Sequence, residues 1–171
     1  MGVGSLRYFG HRRTPEEVVD DLAAIIERYT EAWSHPRVLL IGYSFGAGVL
    51  PFAVNRLPEP LRERIAQVSL LGLGPRAEFE VHITDWLGTG PDPEDPAVIP
   101  EVRRLDPARV QCFYGRREED TACTNPALAG AERIETEGGH HFDGDYVGLA
   151  RRILAGLDRA APGERPAGAA D

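Results

Sequence analysis

The sequence predicts an α/β domain in which a parallel sheet has helices packed on both faces. Two observations support this fold class. Short apolar runs of strand length alternate with segments of helical periodicity, and one run ends in a G-x-S-x-G pentapeptide directly before a helix. Strands that alternate with helices indicate parallel pairing through helical crossovers. We assign residues 1–158 of the 171 to one domain and predict that the Ala/Gly/Pro-rich residues 159–171 form a disordered tail.

The first helix is predicted to begin at the capping box Thr14-Pro-Glu-Glu17, which has proline at its first helical position. Apolar residues at helical spacing predict its buried face. They are Val18, Leu22, Ile25 and Tyr29. We expect the next apolar run, Arg37–Tyr43, to be a strand buried on both faces.

The remaining elements follow the same alternation. In chain order we predict a helix over 49–57 that Pro58 and Pro60 end, strands over 68–73 and 110–115, and a short strand that begins at Arg133. A last helix is predicted from the apolar stripe Tyr146, Leu149, Ile153 and Leu157. Between residues 74 and 108 repeated prolines break the pattern, so residues 79–105 are either a lid over a site or an irregular surface connection.

The pentapeptide is a candidate nucleophile elbow. Glycines at 42 and 46 are expected to let strand and helix approach closely, while the strained turn presents the Ser44 hydroxyl above the sheet. The alternative is an ordinary tight turn with an unreactive serine. The strand–turn–helix setting favours the nucleophile.

A serine nucleophile needs a base and an orienting acid, in the chain order serine, acid, histidine. The acidic loop after the strand at 110–115 offers Asp120, our first choice, and Glu118, our second. The Gly-Gly turn after the next strand delivers a histidine, for which we prefer His140 over His141. We treat the other histidines as surface or packing residues; they are His11, His35 and His82.

Each of these assignments has a simpler alternative. The acidic loop could be a solvated turn. His140 and His141, with Asp143 and Asp145 behind them, could bind a metal. Because zinc-site spacing and H-E-x-x-H are absent, we expect no metal and no cofactor, and one of the two aspartates is expected to cap the last helix.

Composition limits the partners. The net charge of −8 argues against nucleic acid, and the arginine pairs are scattered rather than gathered on one basic face, although they could hold an anionic lipid headgroup. We expect no membrane span, and the N-terminus lacks the apolar core of a signal peptide. The cysteines are Cys112 and Cys123, on either side of the acidic loop, and the sequence leaves open whether they are bonded.

From about residue 4 to 157 the sequence resembles the bacterial virulence VirJ/AcvB family. The resemblance rests on SLRYF at 5–9, RTPE at 13–16, GYSFGA at 42–47, LPFAVNRL at 50–57 and GGHHFDGDY at 138–146. It implies an α/β-hydrolase fold, a periplasmic location and a serine-hydrolase site, here Ser44, Asp120 and His140. Members of the family are linked to type IV secretion, and AcvB-like members to hydrolysis of aminoacylated phosphatidylglycerol. The oxidising periplasm would favour a disulfide between the cysteines.

One departure from that family pattern concerns the oxyanion hole. It is expected to use the backbone N–H of Phe45 and a second N–H from the loop after an earlier strand. Only Gly2–Phe9 precedes the first helix, so we expect the chain to begin within the domain and to lack the first strands. Two hypotheses follow: a serine hydrolase acting on a small-molecule or lipid ester, or a non-catalytic periplasmic module that keeps the fold and binds a secretion-system protein.

Overall fold

A computed structural model describes residues 14–77, 79 and 94–160, without the side chains of 158–160. The expectations for Gly2–Phe9, His11, His82 and the tail beyond residue 160 concern residues outside these ranges, as does most of the proposed lid. The described elements, in chain order, are α1 (Pro15–Ala32), β1 (Val38–Tyr43), α2 (Phe45–Arg56), α3 (Glu59–Arg62), β2 (Ile65–Leu71), α4 (Ile99–Val102), β3 (Val110–Gly115), β4 (Glu132–Thr136) and α5 (Tyr146–Ala160).

The described strands form one parallel sheet in the order β1-β2-β3-β4. Residues that alternate along a strand pack on opposite faces. Leu70 and Cys112 join the core beneath α1 and α2, which includes Ile26 and Phe52. Their neighbours Leu71 and Phe113 pack on the other face with Leu149 and Ile153 of α5. The predicted α/β architecture, with helices on both faces of a parallel sheet, is confirmed.

The start of α1 is as predicted, and its buried face is predicted only in part. The Thr14 hydroxyl accepts the Glu17 N–H, the Glu17 carboxylate accepts the Thr14 N–H, and Pro15 opens the helix. The fully buried residues are Ile26 and Thr30, whereas Ile25 is 45% exposed. Leu22 of the predicted stripe packs against the core, together with Val19 and Ala23 of the neighbouring row. Thr30 can be buried because its hydroxyl donates to the Ile26 carbonyl at 2.8 Å.

Two other burial predictions are wrong. Strand β1 was expected to be buried on both faces, yet Ile41 is 54% and Tyr43 is 43% exposed, because β1 lies at the edge of the described sheet and pairs there with β2. Tyr146, expected in the stripe of the last helix, is 62% exposed at the first turn of α5, before the helix reaches the sheet.

The described part of residues 79–105 packs onto the core. Val98 and Val102 are buried, and Ala97 bridges to Arg76. None of the described helices is long and apolar enough to cross a membrane.

Candidate active site

Ser44 occupies the strained turn that the pentapeptide predicts. It lies between β1 and α2 with φ 53° and ψ −117°, a conformation that costs a non-glycine residue about 1–3 kcal/mol. Its N–H donates to the Leu71 carbonyl at 2.9 Å, which ties the turn to the end of β2. A Cβ at Gly42 would lie 2.4 Å from the Gly46 carbonyl oxygen, so glycine is required at 42. At Gly46 the expectation is wrong, since a Cβ there meets none of the described atoms within 4 Å.

His140 reaches Ser44 from the loop that follows β4. Its Nε2 lies 2.8 Å from Ser44 Oγ. The loop turns tightly, because the Phe142 N–H donates to the Gly139 carbonyl at 2.9 Å and the Phe142 side chain is buried against the sheet. The preferred histidine is therefore the one that contacts the serine.

Glu118 holds the other side of His140. Its Oε1 lies 2.6 Å from His140 Nδ1, and its Oε2 accepts the Gly115 N–H at 3.2 Å. A hydrogen bond from the Glu118 N–H to the Gly115 carbonyl, 2.9 Å long, closes a tight turn at the end of β3. This turn directs the Glu118 side chain towards the carboxyl ends of the strands.

Asp120, the first choice for the acid, does not hold the histidine. Both ring nitrogens of His140 are engaged, one by Ser44 and the other by Glu118. Asp120 lies past the tight turn, where it is exposed and lines the cavity beside Ser44. The structure therefore replaces Asp120 by Glu118, the second choice, as the partner of His140.

Gly72 forms the floor under the His140–Glu118 pair. It follows β2 directly and has φ 63°. A Cβ there would lie 2.7 Å from His140 Cε1 and 3.4 Å from Glu118 Oε1. No pattern in the sequence singles out this glycine, because the two side chains next to it, His140 and Glu118, are distant along the chain.

A cavity of about 350 Å³ opens in front of Ser44. Phe45, the first residue of α2, and Gly74 line it near the serine, and its charged lining residues besides Glu118 are Arg76, Glu119 and Asp120. A guanidinium nitrogen of Arg76 donates to the Asp95 carbonyl oxygen, which anchors this cation at the cavity wall. The cavity therefore offers both signs of charge next to a hydroxyl–imidazole–carboxylate chain.

Cys112 and Cys123 form a disulfide, with their Cα atoms 5.5 Å apart. The structure therefore contains the disulfide that the sequence left open. It encloses the segment that contains the Glu118 turn, and both cysteines are completely buried. The acid is thus carried on a cross-linked loop.

The residues around the histidine loop have other partners. His141 Nδ1 lies 2.8 Å from the Tyr43 hydroxyl, and the Asp143 carboxylate pairs with Arg117 at 2.9 Å. Asp145 accepts the Gly148 N–H at 2.9 Å and so caps α5, as predicted for one of the two aspartates. Within the described ranges, no group of three or more His, Cys, Asp or Glu side chains could hold a metal ion.

Comparison with solved structures identifies the class of fold. A mutant of the meta-cleavage product hydrolase CumD matches with a TM-score of 0.55 and 13% identity, over 89% of this chain and 74% of that one. A second CumD structure, from Pseudomonas fluorescens and in complex with acetates, matches with a TM-score of 0.55 and 12% identity, over 88% and 74%. A lipase-esterase related protein from Clostridium acetobutylicum matches with a TM-score of 0.54 and 17% identity, over 83% and 75%. The chain has an α/β-hydrolase fold.

The family is shown by sequence. A family model described as bacterial virulence protein (VirJ) matches residues 1–161, and the chain belongs to this family. A search of curated proteins finds no significant match.

Proposed function

We propose that this protein is a serine hydrolase that cleaves a carboxylic ester. The observation that carries the proposal is the continuous chain from Ser44 Oγ through the His140 ring to Glu118, with contacts of 2.8 and 2.6 Å. A strained serine, an imidazole and a carboxylate in this geometry form the catalytic unit of acyl-transfer enzymes on several folds.

Each residue has a defined role in this proposal. His140 Nε2 takes the hydroxyl proton as Ser44 Oγ attacks the ester carbonyl, and Glu118 fixes the other ring proton on Nδ1 and stabilises the imidazolium. The Phe45 N–H, at the start of α2, donates to the oxyanion. His140 returns the proton to the leaving alcohol. Water then attacks the acyl–Ser44 ester, His140 takes the water proton, and that proton returns to Ser44 Oγ as the acid is released.

The substrate we propose is an ester with charged groups, of which an aminoacylated phospholipid is the one favoured by the family resemblance. Arg76 is suited to a phosphate on one part of the cavity wall. The exposed carboxylates of Glu119 and Asp120 are suited to the ammonium group of an aminoacyl ester.

The location we propose is the periplasm, in association with secretion. The Cys112–Cys123 disulfide supports an oxidising compartment, where such bonds persist. Membership of a bacterial virulence protein family supports this association, in which a secretion-system protein would be the partner.

The test is covalent labelling with a fluorophosphonate, followed by mass spectrometry of the labelled peptide. We expect one adduct, on Ser44, and none in Ser44→Ala. Ser34→Ala is the matched control, because Ser34 also has a positive φ, 52°, but does not line the cavity. Its labelling should equal that of the wild type.

The same experiment separates the enzyme from the interaction module. A folded wild-type protein that is not labelled would reject the hydrolase proposal and favour the module. Labelled protein justifies measuring hydrolysis of p-nitrophenyl acetate and then of aminoacyl-phospholipid vesicles.

A further inference from the structure

Tyr43 joins the strand of the nucleophile to the loop of the base. It is the last residue of β1, directly before Ser44. Its hydroxyl lies 3.3 Å from the His140 carbonyl oxygen and 2.8 Å from His141 Nδ1. Its ring also lies against the His140 ring, with the two centroids 5.4 Å apart. One side chain thus contacts both the backbone and the imidazole of the candidate base.

The loop that carries His140 needs such a support. It includes positive φ values at Phe142, 54°, and Asp143, 48°, so the backbone around it is strained. The His140 side chain is 39% exposed, whereas its partner Glu118 is only 12% exposed. Phe142 anchors the loop to the core on one side of His140, and Tyr43 contacts it from the side of Ser44.

The hydrogen-bond partners of the Tyr43 hydroxyl follow from which atoms carry protons. A tyrosine hydroxyl donates one hydrogen bond and accepts others. When His141 carries a proton on Nδ1, that N–H donates to the Tyr43 oxygen and the Tyr43 proton is directed to the His140 carbonyl. When Nδ1 is bare, Tyr43 donates to it instead. In both arrangements Tyr43 is hydrogen-bonded to the 140–141 segment.

Tyr43 remains a donor over the working range of an imidazole base. Burial, followed by the neighbouring Tyr146 and Glu118, raises the pKa of Tyr43 above its ordinary value of 10.0. The hydroxyl therefore keeps its proton at neutral pH.

We propose that Tyr43 is a positioning residue that sets the distance between His140 and Ser44, with His141 as the second partner of its hydroxyl. The proposal rests on the hydrolase function proposed above. It extends the site beyond the serine, histidine and glutamate to a side chain that does not touch the reacting atoms.

The test compares Tyr43→Phe, which keeps the ring and removes the hydroxyl, with His141→Ala, which removes the second partner. On p-nitrophenyl acetate we expect Tyr43→Phe to lower kcat by about 10- to 100-fold with KM changed less than about twofold, because misplaced groups slow chemistry more than binding. His141→Ala should lose less than about fivefold, because Tyr43 can still donate to the His140 carbonyl. Thermal unfolding is measured for both variants.

A kcat for Tyr43→Phe within about twofold of the wild type would overturn the proposal, as would an equal loss in both variants. So would a loss that merely follows a lowered unfolding temperature. A nitrogen-15 NMR spectrum of the His140 ring gives a readout independent of activity: we expect Tyr43→Phe to shift or broaden it, while an unchanged spectrum counts against the role. A wild type that neither hydrolyses p-nitrophenyl acetate nor takes the fluorophosphonate label would reject the hydrolase proposal, and the spectrum would still decide the role of Tyr43.

Discussion

Two glutamates of this protein are equally buried and do different things. The side chains of Glu118 and Glu101 are each 12% exposed. Glu118 lies at the carboxyl ends of the strands, between Gly115 and His140. Glu101 lies on α4, where it accepts a hydrogen bond of 2.6 Å from the Asn55 amide and is 3.3 Å from each of its two arginine neighbours, Arg56 and Arg104.

The partners distinguish the two carboxylates. Burial raises the pKa of Glu101, but hydrogen bonds from Asn55 and Arg56, with the charges of Arg56 and Arg104, outweigh burial and lower it overall. These partners are permanent donors, so Glu101 is held as a fixed anion. Glu118 instead contacts an imidazole that can gain and lose a proton beside a hydroxyl and an open cavity. A buried, paired carboxylate becomes a candidate for catalysis only with such a partner.

The sharpest way to test this comparison is Glu118→Gln. A glutamine has one acceptor oxygen, so it cannot serve both the Gly115 N–H and His140 Nδ1–H. With its oxygen on Gly115, its NH₂ group faces Nδ1 and moves the imidazole proton to Nε2, where the ring can no longer accept from Ser44. We expect kcat for p-nitrophenyl acetate to fall by about 10⁴-fold, as loss of the orienting acid does elsewhere.

The matched control is Asp120→Asn, which changes the acid that the sequence favoured and that lies in the same cavity. We expect kcat for p-nitrophenyl acetate, which has no ammonium group for Asp120 to bind, to stay within about threefold of the wild type, because Asp120 does not orient the base. A large loss in Asp120→Asn with a small one in Glu118→Gln would reverse the assignment.

A smaller effect is expected from Gly72→Ala, because Gly72 lies directly against the His140–Glu118 pair. The added methyl would overlap His140 Cε1, and the positive φ disfavours alanine. We expect kcat to fall by about 100-fold, the scale of a small misplacement of a catalytic group. Gly74→Ala is the control, since the nearest described atom to its Cβ is 3.9 Å away. Equal losses in the two variants would show that His140 does not depend on this floor.

The parts of the site that the sequence predicted are those set by neighbours along the chain. The strand–Ser44–helix turn and the capping box at Thr14 depend on residues within a few positions of each other. The choice between Glu118 and Asp120 depends instead on a distant contact. The turn at Gly115 directs the Glu118 carboxylate towards His140, which lies 22 positions further along the chain.

The errors in predicted burial have the same cause, because burial also depends on residues that are distant along the chain. Helical spacing in α1 predicted an apolar stripe, but part of its buried face is decided by the helices it packs against, α2 and α3, and by Arg64, whose guanidinium donates to the buried Thr30 hydroxyl at 2.8 Å. Tyr43 was missed as part of the site because its hydroxyl meets His141 only after the fold brings β1 to the loop.

The smallest expected effect is on stability, in Glu101→Gln. The variant keeps the shape of the side chain but loses the charge that pairs with Arg56 and Arg104. We therefore expect the free energy of unfolding in urea at pH 7 to fall by about 1–2 kcal/mol, with kcat per folded molecule unchanged.

The pKa of Glu101 is lower in the folded protein than the ordinary 4.5, so its charge stabilises the fold fully above that pH and less as the pH falls through the folded value. The difference between wild type and variant should therefore shrink below about pH 4.5. A constant difference down to pH 3, or a fall in kcat like that of Glu118→Gln, would show that the two glutamates do not differ in the way their partners indicate.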